Sequence, residues 1–166
     1  RGLLESDHVS PELDDAALAW TEDAAARAEA GANWLLAERL FGRAIEVLGE
    51  DDDERRFAYL LGRAGARLQR WAIDDAGADL DEADSFTDDH PVAEARVQLL
   101  RSDLERRRGR FERAHRLAED ARLTLERVGA TVELAEAYRM LAMIRLFSGA
   151  VAEAEEPATL ALALYG

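Results

Sequence analysis

Cysteine and lysine are both absent from the 166 residues. Without cysteine there is no disulfide, no thiolate nucleophile and no cysteine-ligated zinc, which fits a cytoplasmic protein. Without lysine there is no Schiff-base amine and no phosphate-loop lysine. Proline occupies only three positions, aromatics make up 7% of the chain, and β-branched residues never gather into alternating runs. These shortages argue for helices packed closely through small residues, alanine above all. No apolar stretch approaches the roughly 20 residues needed to span a bilayer. The opening RGLLESDHVS carries neither a methionine nor a signal-peptide pattern, as expected of a piece of a longer protein.

Acid dominates what is present. The formal net charge is −14, with a pI near 4.6, which repels duplex DNA and anionic membranes at long range. Nucleic-acid binding is therefore disfavoured unless a local basic patch overcomes that field, and no membrane contact is expected. A hydrophobic content of 48% with 34% charged residues describes a globular chain rather than a disordered one. Its length suffices for one domain burying roughly 70% of the surface of the unfolded chain.

Internal repetition is the strongest signal. The apolar stripe Trp34, Ala37, Phe41, Ala44, Leu48 advances by threes and fours, the spacing of one helix face. Phe111, Ala114, Ala118, Ala121, Leu125 takes the same steps, as does Val151, Ala154, Ala158, Ala161, Tyr165. Ile73, Ala76, Leu80, Ala83 is a shorter version. The starting residues 34, 73, 111 and 151 lie 39, 38 and 40 apart. A second helical segment precedes each stripe, over Pro11–Ala30, Asp53–Gln69, Pro91–Arg108 and Thr131–Phe147.

Glycines punctuate the pattern. Gly31, Gly109 and Gly149 sit just ahead of their stripes, where a tight helix–helix turn needs a permissive backbone. Gly49, Gly129 and Gly166 follow as helix-ending residues. Ser10-Pro11 and His90-Pro91 resemble a cap followed by proline in a first turn. No glycine closely precedes Ile73, so a different turn is expected there. Pro157, inside the last stripe, predicts a kink or, preferably, a helix that starts late. A single hairpin cannot bury its own apolar faces, so the expected architecture is an all-α solenoid of four stacked hairpins. It forms one domain over residues 11–166, with repeats near 11–49, 53–87, 91–129 and 131–166, and residues 1–10 form an N-terminal extension.

On these residues the chain resembles the tetratricopeptide repeat family. ANWLLAERLFGRA (32–44) contains Ala37-x3-Phe41-x2-Ala44, similar to the second-helix signature of that family. GRFERAHRLAEDA (109–121) carries Gly-x-Phe-x2-Ala, GAVAEAEEPATLA (149–161) echoes it with valine in the aromatic place, and YRMLA (138–142) resembles the first-helix pattern. The period near 39 exceeds the family's usual 34. Longer, alanine- and arginine-rich repeats of this kind are similar to the tetratricopeptide-type segments of large bacterial signalling ATPases, LuxR-type regulators and class III nucleotide cyclases. The resemblance implies a right-handed superhelix serving as a protein-binding scaffold or sensor arm.

Catalytic chemistry finds little support in the sequence. His8, His90 and His115 lie far apart in sequence and form no metal-ligand spacing, and a catalytic base would need a nucleophile and an orienting acid beside it; His115, between Ala114 and Ala118, reads as a residue at the edge of the packed face. No G-x-S-x-G, G-x-G-x-x-G or G-K-[ST] occurs. Gly62-Arg-Ala-Gly65 suits close helix approach better than phosphate binding. Asp51, Asp52, Asp53 and Glu54 precede a helix, where negative charge suits caps and the dipole. Asp74, Asp75, Asp79, Asp81, Glu82 and Asp84 read as a solvated acidic face without the loop glycine of a calcium site. No enzyme, metal or cofactor is expected.

The arginine-rich RSDLERRRGRFERAHRLAEDA (101–121) spans a helical hairpin. Arg106 and Arg107 close one helix, Arg108 and Arg110 flank the Gly109 turn, and Arg113 and Arg116 can pair with Glu112, Glu119 and Asp120. By resemblance, the first helices of the repeats line a concave groove. Transferred residue by residue, this points to Glu22 and Arg27, then Arg96, Asp103, Arg106 and Arg107, then Arg139, Met143 and Phe147. Arginines gathered there would fork onto the carboxylates of an acidic peptide or a C-terminus. The bland alternative is a solvated groove with internal pairs such as Asp103–Arg107. A rival function is an effector-sensing arm holding a small molecule in the same concavity and regulating a missing ATPase, cyclase or DNA-binding domain. The apolar ending LALALYG implies further repeats or a homo-oligomer contact covering Leu160, Leu162 and Leu164.

Overall fold

The computed structural model describes residues 11–48 and 52–165 of the chain. The expectations placed on His8, Ser10, Gly49, Asp51 and Gly166, and on the extension 1–10, lie outside the described residues. The described residues form eight α-helices and no strand: α1 (Pro11–Ala30), α2 (Trp34–Val47), α3 (Asp53–Gln69), α4 (Ile73–Asp84), α5 (Pro91–Arg107), α6 (Phe111–Val128), α7 (Thr131–Phe147) and α8 (Glu155–Tyr165), with a 3₁₀ turn over Val151–Ala154 before α8. Each helix packs on the next in sequence, and α5 additionally touches α3 and α7. Helices α3, α5 and α7 thus lie side by side in one layer.

The predicted stripes supply the buried faces of α2, α4 and α6, whereas of the last stripe only Ala161 is buried and its ends Val151 and Tyr165 are exposed. Ala37 and Ala44 of α2, Ala76, Leu80 and Ala83 of α4, Ala114, Ala118, Ala121 and Leu125 of α6 and Ala161 of α8 are all buried. A methyl side chain there lets neighbouring backbones come close, and larger residues fill what remains. Two main clusters result, one around Leu60, Leu68, Leu80 and Val97 and one around Leu99, Leu125, Met140 and Ile144. Ser102, fully buried on α5, donates its hydroxyl to the Ala114 carbonyl at 2.7 Å, tying α5 to α6 at their close approach.

Local chemistry explains the boundaries. Asn33 and Asp52 cap α2 and α3 by accepting from the Leu36 and Arg55 amides at 3.3 and 3.0 Å, while Pro91 opens α5 at a position where the missing amide costs nothing. Pro157 falls in the first turn of α8, the late start preferred above.

Every odd-to-even turn closes the same way. The amides of Asn33, Ala72, Arg110 and Ala150 reach back to the carbonyls of Ala28, Arg67, Glu105 and Arg145. This is the hydrogen bond of a helix ending on one left-handed residue. Two expectations are corrected here. In the first turn the left-handed residue is Ala32 (φ 53°), not Gly31, because the closure counts from the helix end and falls one residue later. The α3–α4 turn is not different: Trp71 takes φ 63° at the place held by Gly109 (φ 75°) and Gly149 (φ 88°). A bulky residue is costly there. Trp71 is 65% exposed, and the Arg107 guanidinium lies 5.4 Å from the centroid of its ring, which offsets part of the strain.

Relieving that strain gives one test. Trp71→Gly should stabilise the chain by about 0.5–1 kcal/mol, the left-handed cost less the lost cation–π contact, as read by urea denaturation. The glycines of α3 give another. A Cβ on Gly62 would come 2.5–2.7 Å from the Phe41 ring, whereas nothing lies within 4 Å of one on Gly65. Gly65→Ala should therefore gain about 0.5–1 kcal/mol of helix propensity, and Gly62→Ala should lower the melting temperature by displacing Phe41.

Candidate partner-binding groove

An open groove of about 620 Å³ crosses the layer formed by α3, α5 and α7. Its floor is apolar: Leu61 of α3, Leu99 and Leu100 of α5 and Met140 of α7, with Phe41 of α2 reaching across Gly62. Its charged lining comes from Glu29 of α1, Arg96 of α5, and Glu133, Glu136 and Arg139 of α7. Five helices, α1, α2, α3, α5 and α7, thus contribute to one concavity.

Of the residues predicted for the groove, Arg96 and Arg139 line it. The Arg96 guanidinium rests 5.6 Å from the Phe57 ring centroid and is exposed, with no carboxylate in ion-pair range among the described residues. Arg139 pairs with Glu136 at 2.7 Å and donates to the Met143 sulfur at 3.1 Å. Glu22 accepts the Tyr59 hydroxyl, joining α1 to α3. Arg27 pairs with Asp23 on the open surface of α1.

Asp103, Arg106 and Arg107 are not free groups. Asp103 is 6% exposed and binds Arg106 at 2.5 Å and Arg107 at 2.9 Å. The other face of Arg106 is covered by Phe147, whose ring centroid lies 4.7 Å away. The internal pair Asp103–Arg107, weighed above as the bland alternative, is present, and Arg106 joins it.

The remaining charge clusters are largely consumed inside the fold. Glu105, 4% exposed, gathers Arg108 at 3.3 Å and Arg110 at 3.2 Å, with Arg113 at 3.9 Å. Arg113 therefore turns back over the end of α5 instead of pairing with Glu112, Glu119 or Asp120, because the tight turn brings α6 alongside Glu105. The row of acids on α4 is likewise not a simple solvated face. Asp79, 2% exposed, binds Arg63 at 2.6 Å and Arg67 at 2.7 Å. Glu82 holds Arg56 at 3.1 Å, Asp81 and Asp84 hold Arg101, and Asp74 holds Arg108. These acids latch α4 to both neighbouring odd helices, a pairing invisible to sequence spacing because the partners lie up to 34 positions away.

His115 sits at the edge of the packed face and accepts from Arg145 at 2.6 Å. Nearby, Arg122 binds Glu119 and Glu126, each at 2.5 Å, and Tyr138 donates to Glu126 at 2.8 Å. The Arg122 bond holds Glu119 below the ordinary carboxylate range, and the Tyr138 and Arg122 bonds do so for Glu126. In the groove the sign is opposite: burial pushes the Glu29 carboxyl up.

Among the described residues no group of three histidines or carboxylates is placed to hold a metal ion, and no helix is long and apolar enough to cross a membrane. No protein-family model and no curated protein matches the chain.

Removing the Asp103 carboxylate would strand two buried arginines. Asp103→Ala should cost about 3–5 kcal/mol, while Arg27→Ala at the exposed pair should stay within about 0.5 kcal/mol; chemical denaturation of both separates the two kinds of pair. Glu29 gives a pH test. Its folded form holds a proton more tightly than the unfolded chain, so its ionisation destabilises the fold above the raised pKa. That penalty fades as pH falls toward the ordinary carboxylate range. Glu29→Gln should therefore melt higher than the parent at pH 7, with the gap closing in acid.

Proposed function

We propose that this chain is a non-enzymatic, tetratricopeptide-like interaction module, its four hairpins stacked as a right-handed superhelix whose inner groove binds an extended peptide. The repeat spacing, the common turn closure and the sharing of the groove by odd-numbered helices support this reading. The peptide supplies apolar side chains to the Leu61, Leu99, Leu100 and Met140 floor and one carboxylate to Arg96. A strongly acidic peptide is a poorer fit, because Glu29, Glu133 and Glu136 already line the groove.

Arg96 carries the proposal. Its guanidinium is backed by an aromatic ring, stands at the groove and has no carboxylate of its own among the described residues. Such a group is prepared for a charge-assisted bond from a ligand. A large bacterial signalling or regulatory protein is the setting that the repeat type suggests for the module.

A peptide-display selection on the full chain tests the reading. Enriched peptides should combine apolar residues with one carboxylate. Arg96→Glu should weaken their binding by about tenfold or more, while Arg116→Glu, on the outer helix α6, should not. Absence of any enriched peptide, together with thermal stabilisation by a small-molecule panel, would instead favour the effector-sensing arm.

A further inference from the structure

We propose that the outward stripe of α8, Glu155, Thr159 and Leu162, is a docking surface for a further helical hairpin whose leading helix has the chemistry of α3. Three internal precedents support this. The same stripe recurs on every even helix at the repeat spacing, as Glu38, Gly42 and Ile45, then Gly77, Asp81 and Asp84, then His115, Glu119 and Arg122.

In each of those three cases the next odd helix contacts the stripe, which leaves its residues partly buried except for Asp81, whose side chain stays 79% exposed. On α2, Glu38 binds Arg67 at 3.2 Å as well as Arg70, a Cβ on Gly42 would lie 3.9 Å from Arg63, and Ile45 packs on the Phe57 cluster. On α4, Gly77 lies against Leu104, and Asp81 and Asp84 hold Arg101 at 2.9 and 3.2 Å. On α6, His115 meets Arg145, and the Arg122 guanidinium lies 5.9 Å from the Tyr138 ring centroid. On α8 all three stripe residues are exposed, Leu162 by 72%.

The chemistry of the stripe specifies its occupant. Glu155, Thr159 and Leu162 match Glu38, Gly42 and Ile45 in kind: a carboxylate, a small residue and an aliphatic one. On α2 the late Ile45 packs against the cluster that includes the early Phe57 of α3, and the early Glu38 meets the late Arg67. The two helices are therefore antiparallel. The helix that fits α8 runs antiparallel to it, sets an apolar residue over Leu162 and, ten positions later as in Phe57 to Arg67, brings an arginine to Glu155. Nothing in this depends on what the groove binds.

Gly166 stands in the register of Gly49, so a copy of residues 50–87 joined directly after Gly166 places the α3–α4 hairpin in phase. Because the chain has no cysteine, Thr159→Cys introduces a single thiol whose labelling rate reports cover on the stripe. In the unextended protein the thiol should react freely at all protein concentrations. In the extended protein it should be protected by about tenfold or more. Protection should be lost with Leu162→Glu, or with Phe57→Glu and Arg67→Glu in the appended copy alone. Free labelling of the extended protein overturns the proposal, whether or not circular dichroism shows the added helices formed. Protection that grows with concentration in the unextended protein also overturns it, since a second copy would then be the occupant.

Discussion

How closely one helix can approach the next governs this fold, and alanine sets that distance. Where Ala114, Ala118 and Ala121 face α5, the backbones come near enough for Ser102 to reach a carbonyl of the facing helix. The same closeness lets arginines of one helix reach carboxylates of another. A core built from methyl groups buries little area per residue, so it is supplemented by buried ionic latches at Asp79, Asp103 and Glu105. Such latches add specificity of register more dependably than net stability, because desolvation offsets much of the Coulomb attraction. Asp79 and Glu105 each join two helices at one relative position, while Asp103 holds Arg106 and Arg107 along α5 itself.

Much of this was legible in the sequence because helical periodicity and repeat spacing are local properties. The four stripes, the helix limits and the late start of α8 follow from side chains three and four apart and from where glycine and proline stand. Trp71 was not legible, since its left-handed turn is imposed by the helices on either side rather than by its own preference. Nor was the fate of the charges. Asp79 and Asp74 belong by spacing to an exposed acidic row, yet one is buried against α3 and the other is tied to α5. Arg106 and Arg107 read as groove residues because they fall on the right helix; only the approach of Phe147 and Trp71 shows them enclosed. Arg96 and Arg139 were found because their positions on α5 and α7 face the shared concavity.

The balance of charge in the groove differs from that of the whole molecule. An overall −14 would steer cationic partners toward the surface, but at the groove Arg96, which has no ion-pair partner among the described residues, stands among three carboxylates and the engaged Arg139. Long-range attraction and short-range recognition therefore favour different features of a ligand. The peptide proposed for the groove, with an apolar body and a single acidic group, would avoid most of that repulsion while still reaching Arg96.

The absence of lysine gives the interhelical latches an unusual chemical inertness. Arginine keeps its charge across the whole physiological pH range, and it is not a substrate for the acetylation or ubiquitination that lysine receives. Each cation that clamps the repeats is therefore fixed in sign and closed to acyl modification. Amine-directed crosslinkers would likewise pass over these clamps, leaving the array's internal joints chemically silent while its carboxylates stay open to attack.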